Sequence, residues 1–147
     1  MSDRWVVNAS PLIVFGKIGH LDLLTRLAKE IVVPQAVVTQ IIAGPENDPA
    51  KLAIEAKMFQ PVDAPPPTPE LAAWDLGLGE TAVISYALEH AGWTAILDDR
   101  TFGMEVKGSL AIVLLAKKRG LIPSAKQILH MMHEVGLRLD ERISDRP

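Results

Sequence analysis

Glu80, Asp98 and Asp99 are the residues of this 147-residue chain whose types and spacing could do chemistry together. Glu80 follows Leu76-Gly77-Leu78-Gly79, where a Gly-x-Gly turn opens a helix, and Asp98-Asp99 follow the apolar run Thr94-Ala95-Ile96-Leu97 one helix-length later. Carboxylates brought together by a helix start and a strand end can bind Mg²⁺ or Mn²⁺, hard cations that prefer oxygen ligands and retain waters for substrate phosphates. A cation so held lowers the pKa of a bound water and stabilises charge on a phosphodiester oxygen. Asn8 closes a second strand-like run, Trp5-Val6-Val7, so an amide stands where a further acid would complete the nest. Each acid alone has a plainer role. Glu80 would complement a helix dipole, and Asp98-Asp99 would form a turn. Their joint placement beside buried strands is what points to a site.

The elements that must position these groups alternate strand and helix. Trp5 to Ala9 reads as a buried strand, and Ser10 is expected to cap a helix that starts with Pro11. A second helix is expected over 20–29, a strand over 31–33, and a helix from Pro34 through Ile42. Asp48 with Pro49 starts a helix reaching about Met58, and Phe59 to Val62 forms a short strand. Ala64 to Pro69 holds four prolines and reads as a stiff surface connection. A helix from Gly79-Glu80 to His90, the strand Thr94–Leu97, and helices over 109–119 and 125–134 complete the chain. This alternation predicts an α/β fold with a mostly parallel sheet of four or five short strands flanked by helices, a single domain over 1–147.

Composition narrows the function classes. With 48% hydrophobic and 22% charged residues the chain reads as a globular domain. Zero cysteines exclude disulfides, a thiolate nucleophile and thiolate-held zinc, and agree with a cytoplasmic setting. The longest apolar run, Leu110–Ala116, is far short of the roughly 20 residues a membrane span needs. A net charge of −3 argues against a surface that is one large nucleic-acid clamp. Local basic groups remain as phosphate contacts, with Arg100 and Lys117 the candidates. Lys117-Lys118-Arg119 before Gly120 is equally the ordinary cationic end of a helix. His130 and His133 lie one helical turn apart but lack a third ligand, so an ordinary helix face is expected.

The ordered motifs resemble PIN-domain proteins, in the branch related to VapC toxins. Val6-Val7-Asn8-Ala9-Ser10-Pro11-Leu12-Ile13 looks like their opening, and Val33-Pro34-Gln35-Ala36-Val37 like their second strand and helix start. Leu78-Gly79-Glu80-Thr81-Ala82 and Leu97-Asp98-Asp99-Arg100 match the two later acidic motifs. Lys107-Gly108-Ser109-Leu110 and Ala116-Lys117-Lys118-Arg119-Gly120-Leu121-Ile122 match the closing segments. The resemblance implies a PIN-like three-layer sandwich and a ribonuclease with four acidic positions around one or two Mg²⁺ or Mn²⁺ ions. It implies RNA as substrate, an antitoxin protein as partner, and a homodimer.

Carried over by position, the four acids fall on Asn8, Gln40, Glu80 and Asp99, with Asp98 adjacent and Ser10 beside the nest. Two of the four are amides, which offer a carbonyl oxygen but no charge, so weaker metal affinity is expected. A degenerate fold that binds RNA or a protein without cleaving is the alternative. A second departure is the short segment 100–107, where relatives place a helix and a strand. A parallel crossover needs about 10 to 12 residues, so the last parallel strand is expected to be missing, or the terminal helices to be exchanged across the dimer.

Overall fold

A computed structural model of the chain describes residues 3–73, 76–97 and 106–144. The elements in chain order are β1 (Arg4–Val7), α1 (Ala9–Lys17), α2 (Asp22–Leu27), β2 (Glu30–Pro34), α3 (Gln35–Ile42), α4 (Pro49–Glu55), β3 (Gln60–Val62) and α5 (Pro69–Ala72). They continue with α6 (Leu78–Glu89), β4 (Trp93–Ile96), β5 (Val106–Lys107), α7 (Ser109–Lys118) and α8 (Ala125–Ser144). The strands form one sheet in the order β3-β2-β1-β4-β5, every neighbouring pair parallel. The expected α/β class, with a parallel sheet flanked by helices, is what the chain adopts.

A parallel strand covered on both faces should be apolar along its whole length rather than alternating. β1 meets that requirement: Trp5, Val6 and Val7 are all fully buried, paired to β2 on one side and β4 on the other. The buried apolar residues of β1, β2 and β4 join those of α1, α2, α6 and α7 in one core cluster. Local chemistry sets several helix starts. Asp48 Oδ1 accepts the Ala50 N–H at 3.0 Å with Pro49 next to it, and Ser124 Oγ accepts the Gln127 N–H at 3.3 Å before α8. α1 and α4 approach closely at Gly16, where a Cβ would stand 3.1 Å from the Ala50 backbone nitrogen.

Three expectations are corrected. The final parallel strand is present: Val106 and Lys107 pair with Ala95 and Ile96 of β4. The crossover minimum assumes a return along a whole strand, whereas β5 pairs only with the last two residues of β4. The closing helices are also accounted for within their own chain. Ile112, Val113, Ala116, Ile122 and Ile128 sit in the core, and α8 packs on α7 and α1, so the observation that suggested exchanged terminal helices is gone. Finally, Ser10 does not cap α1. Asn8 occupies the cap position, in extended backbone conformation and without a side-chain cap bond, and Ser10 and Pro11 lie inside the first turn. The Asn8 N–H extends the sheet by bonding to the Ile96 carbonyl at 3.0 Å, and that bond fixes where the strand gives way to helix.

One core group stands out energetically. Thr94 of β4 is fully buried, and its hydroxyl has no hydrogen-bond partner among the described residues. A buried hydroxyl without a partner carries a desolvation cost of about 1–3 kcal/mol. Thr94→Val, which replaces the hydroxyl by a methyl of similar size, should raise the unfolding free energy by roughly 1 kcal/mol. Urea unfolding checks this, and a lower midpoint for the variant would show that the hydroxyl is satisfied in solution.

Candidate functional site

The strand order dictates where a site belongs. The chain moves from β1 outward through β2 to β3, then returns to place β4 on the other side of β1, so the direction of winding reverses at the β1/β4 pair. In open parallel sheets ligands bind outside the carboxyl ends of the strands at such a reversal. Asn8 is the residue that emerges there from β1. Its amide is not consumed in capping α1, and it is only partly buried.

Three further elements close around Asn8. A cleft of about 420 Å³ is walled by Asn8, Ala9 and Ser10 at the start of α1, by Ala36, Thr39 and Gln40 on α3, and by Gly77 to Glu80 at the start of α6. The closeness of α6 depends on Gly79. A Cβ there would stand 2.8 Å from Gln40 Oε1, 3.3 Å from Asn8 Oδ1 and 3.3 Å from Val37 Cγ2. Both amide oxygens therefore turn toward the same point on the α6 backbone. Gly79 was read from the sequence only as part of a turn. Its second role, letting the α6 terminus approach the two amides, is a through-space contact, and its sequence trace is the unusual pairing of glycines inside a helix start.

The structure thus gathers Asn8, Ser10, Gln40 and Glu80 from three helix regions far apart in sequence. Lys117 is not with them. α7 starts just after β5, so Lys117 stands roughly 12 Å further along the helix axis, and its Nζ donates to the Pro123 carbonyl at 2.9 Å. Neighbouring Arg119 donates to the Leu27 carbonyl at 3.3 Å, so this basic run ties down the opposite end of the molecule. Lys117 is therefore absent from the lining of the cleft that the other candidates share. Asp98, Asp99 and Arg100 lie outside the described residues, as do Trp74 and Asp75. β4 nevertheless delivers the chain to Leu97, next to the end of β1.

His130 takes the ordinary helix-face role expected of it, and His90 packs on an aromatic pair. His130 pairs with Glu134 at 3.2 Å along α8. His90 stacks on Tyr86 with ring centroids 4.0 Å apart, and Trp93 meets the same tyrosine edge-on at 5.5 Å. Burial, with a smaller contribution from Glu30, raises the Tyr86 pKa above its ordinary value, so the phenol stays neutral.

The donor chemistry of the cleft can be weighed against a divalent cation. Its polar side chains are oxygen donors or amides: two amide carbonyls, a carboxylate and two hydroxyls, with no imidazole. That set suits Mg²⁺ or Mn²⁺ in kind, though a single carboxylate gives it little charge. Among the described residues no group of three or more acids or histidines could hold a metal ion. The starts of α1 and α6 also border the cleft, and the positive end of a helix dipole is a favourable environment for an anion. Oxygen donors beside helix N-termini are what a cation and a phosphate sharing one site would require.

Comparison with known proteins agrees with this architecture. No significant match was found among curated proteins or among solved structures. A family model, DUF3368, described as a PIN domain, matches residues 4–146. No helix among the described residues is long and apolar enough to cross a membrane. From β1 to the end of α8, then, the chain belongs to the PIN-domain family.

Proposed function

We propose that this chain is a metal-dependent endoribonuclease of the VapC toxin type, with activity lowered by amides at two of its four acidic positions. The reading is supported chiefly by one observation: Asn8 and Gln40, the two positions where the resemblance puts acids, turn their amide oxygens toward the same α6 backbone that carries Glu80. Residues 32 positions apart on different elements have no local reason to share a cleft.

Glu80 and Asp99 are proposed as the acids that hold Mg²⁺ or Mn²⁺, with Asp98 in support. The Asn8 and Gln40 carbonyls complete the oxygen set. When bound, the cation would supply a lowered water pKa and a counter-charge for the phosphodiester. The positive ends of the α1 and α6 dipoles would favour the phosphate. Ser10, half-buried on the cleft wall, can orient a water or a phosphate oxygen by its hydroxyl. Arg100 is proposed as a phosphate contact. The physiological setting proposed is a toxin neutralised by an antitoxin, and a small reading frame just upstream would support that pairing.

Incubating the purified chain with RNA and Mg²⁺ or Mn²⁺ tests the proposal. Cleavage should require the cation and fall at least about 100-fold in Glu80→Gln and in Asp99→Asn, since each change removes a charge at the metal. The amides at Asn8 and Gln40 favour a second reading, a PIN fold that binds RNA or a protein without cutting. RNA binding with no cation-dependent cleavage would decide for it.

A further inference from the structure

A second pocket, of about 330 Å³, adjoins the cleft and shares two of its walls, Ala36 and Leu78. Its far wall is the proline segment 65–67, facing Pro34. This segment is held in place: the buried Ser85 hydroxyl on α6 donates to the Pro65 carbonyl at 2.7 Å and reaches the Pro66 carbonyl at 3.4 Å. Because each proline has a fixed φ, the wall is formed before any ligand arrives. Leu78 stands between the two cavities and is 85% exposed, an unusual position for a large apolar side chain at a cleft mouth. The polar side chains around the pocket are Gln35, Thr81 and the carboxylate of Asp63.

We infer that this pocket seats a nucleobase next to the phosphodiester bound in the cleft, and that it selects bases carrying an exocyclic amino group. The inference rests on the RNA-cleft reading and deepens it. A nucleotide has one anionic part and one flat, largely apolar part, and the two cavities divide along the same line. The cleft offers helix N-termini and oxygen donors. Among the described residues the walls of the adjoining pocket carry no lysine or arginine and one carboxylate, so it disfavours a phosphate and accepts a ring. Leu78 and the prolines present apolar contact to the ring faces, a sequence-tolerant contribution. Asp63 adds the selection. A carboxylate only accepts hydrogen bonds, so it receives an N–H from the amino group of cytosine, adenine or guanine and repels the uracil carbonyl at the same place.

The test is selection from randomised oligoribonucleotides by the full chain, with Ca²⁺ in place of Mg²⁺ to hold RNA uncut, followed by sequencing of the retained pool. One position should be enriched at least about fivefold in amino-bearing bases over uracil, the discrimination expected of one good base-edge contact. Asp63→Asn, whose amide can both donate and accept, should bring that preference below about twofold. Leu78→Ser should weaken retention of the whole pool, and its exposure means that the fold should survive, as a melting curve can verify. RNA retained without enrichment, or with enrichment indifferent to both variants, overturns the base pocket and leaves the cleft reading standing. RNA not retained at all overturns both.

Discussion

Asn8→Asp combined with Gln40→Glu should tighten Mn²⁺ binding by about 100-fold and raise RNA cleavage with it. The two amide oxygens already face the α6 backbone beside Glu80, so the change alters charge far more than shape. Asp for Asn and Glu for Gln keep the length and branching of each side chain. Two unit charges about 4 Å apart interact by about 1 kcal/mol in water and about 4 kcal/mol near a protein surface. Asn8 is half-buried and Gln40 exposed, so the lower part of that range applies, and about tenfold per restored carboxylate follows for a divalent ion. The same crowding of charge should make the metal-free variant less stable than the parent by roughly 1–2 kcal/mol. Added Mn²⁺ should recover the difference, because a ligand that binds only the folded state stabilises it. Calorimetric titration and melting curves with and without Mn²⁺ measure both effects. Affinity unchanged by two new carboxylates would mean that these side chains do not face a metal.

Trp5→Ala should remove about 3–5 kcal/mol of stability, the largest loss expected from any single truncation in the sheet. Trp5 is fully buried in the central strand, opposite Ile31 of β2 and Thr94 of β4. Its loss leaves a cavity at the central strand of the sheet, where neighbouring strands cannot close in without breaking register. Domains of this size have a total stability of about 5–15 kcal/mol, so the variant should retain between almost none and about four fifths of its margin. Urea unfolding gives the number. Asn8 lies only three residues along the same chain from Trp5, so any RNA binding should weaken together with stability. Loss of stability with binding intact at low temperature would show that the cleft is held by α3 and α6 rather than by β1.

These expectations show which parts of the protein are legible in the sequence and which are not. The parallel sheet is written in Trp5-Val6-Val7 and in Ala95-Ile96-Leu97, because strands buried on both faces are apolar along their length. The helices before and after them are marked by Asp48-Pro49 and by the Gly-x-Gly start of α6. Ser10 misled because Ser-Pro is a strong local signal for a helix start, yet the boundary is set by a sheet hydrogen bond from Asn8 to Ile96, 88 positions away. β5 was missed because two residues carry no periodicity, and only their pairing with Ala95 and Ile96 defines them. The segment 65–67 was legible as stiff but not as a wall, since its partner, the Ser85 hydroxyl, lies on another element. The cleft itself was half legible. Asn8, Gln40 and Glu80 could be named from resemblance to a family, but their convergence on Gly79 is a property of the folded chain alone.

The central claim is that the cleft at the β1/β4 reversal cuts RNA by direct attack of water assisted by a divalent cation. End-group analysis of the RNA products tests it most directly. Water as nucleophile leaves linear phosphate and hydroxyl ends, whereas attack by the neighbouring 2′-hydroxyl leaves a 2′,3′-cyclic phosphate. Linear ends are expected, formed faster with increasing Mn²⁺, abolished by chelation and lost in Glu80→Gln. Cyclic phosphate ends, or cleavage that persists in chelator and in Glu80→Gln, would contradict it.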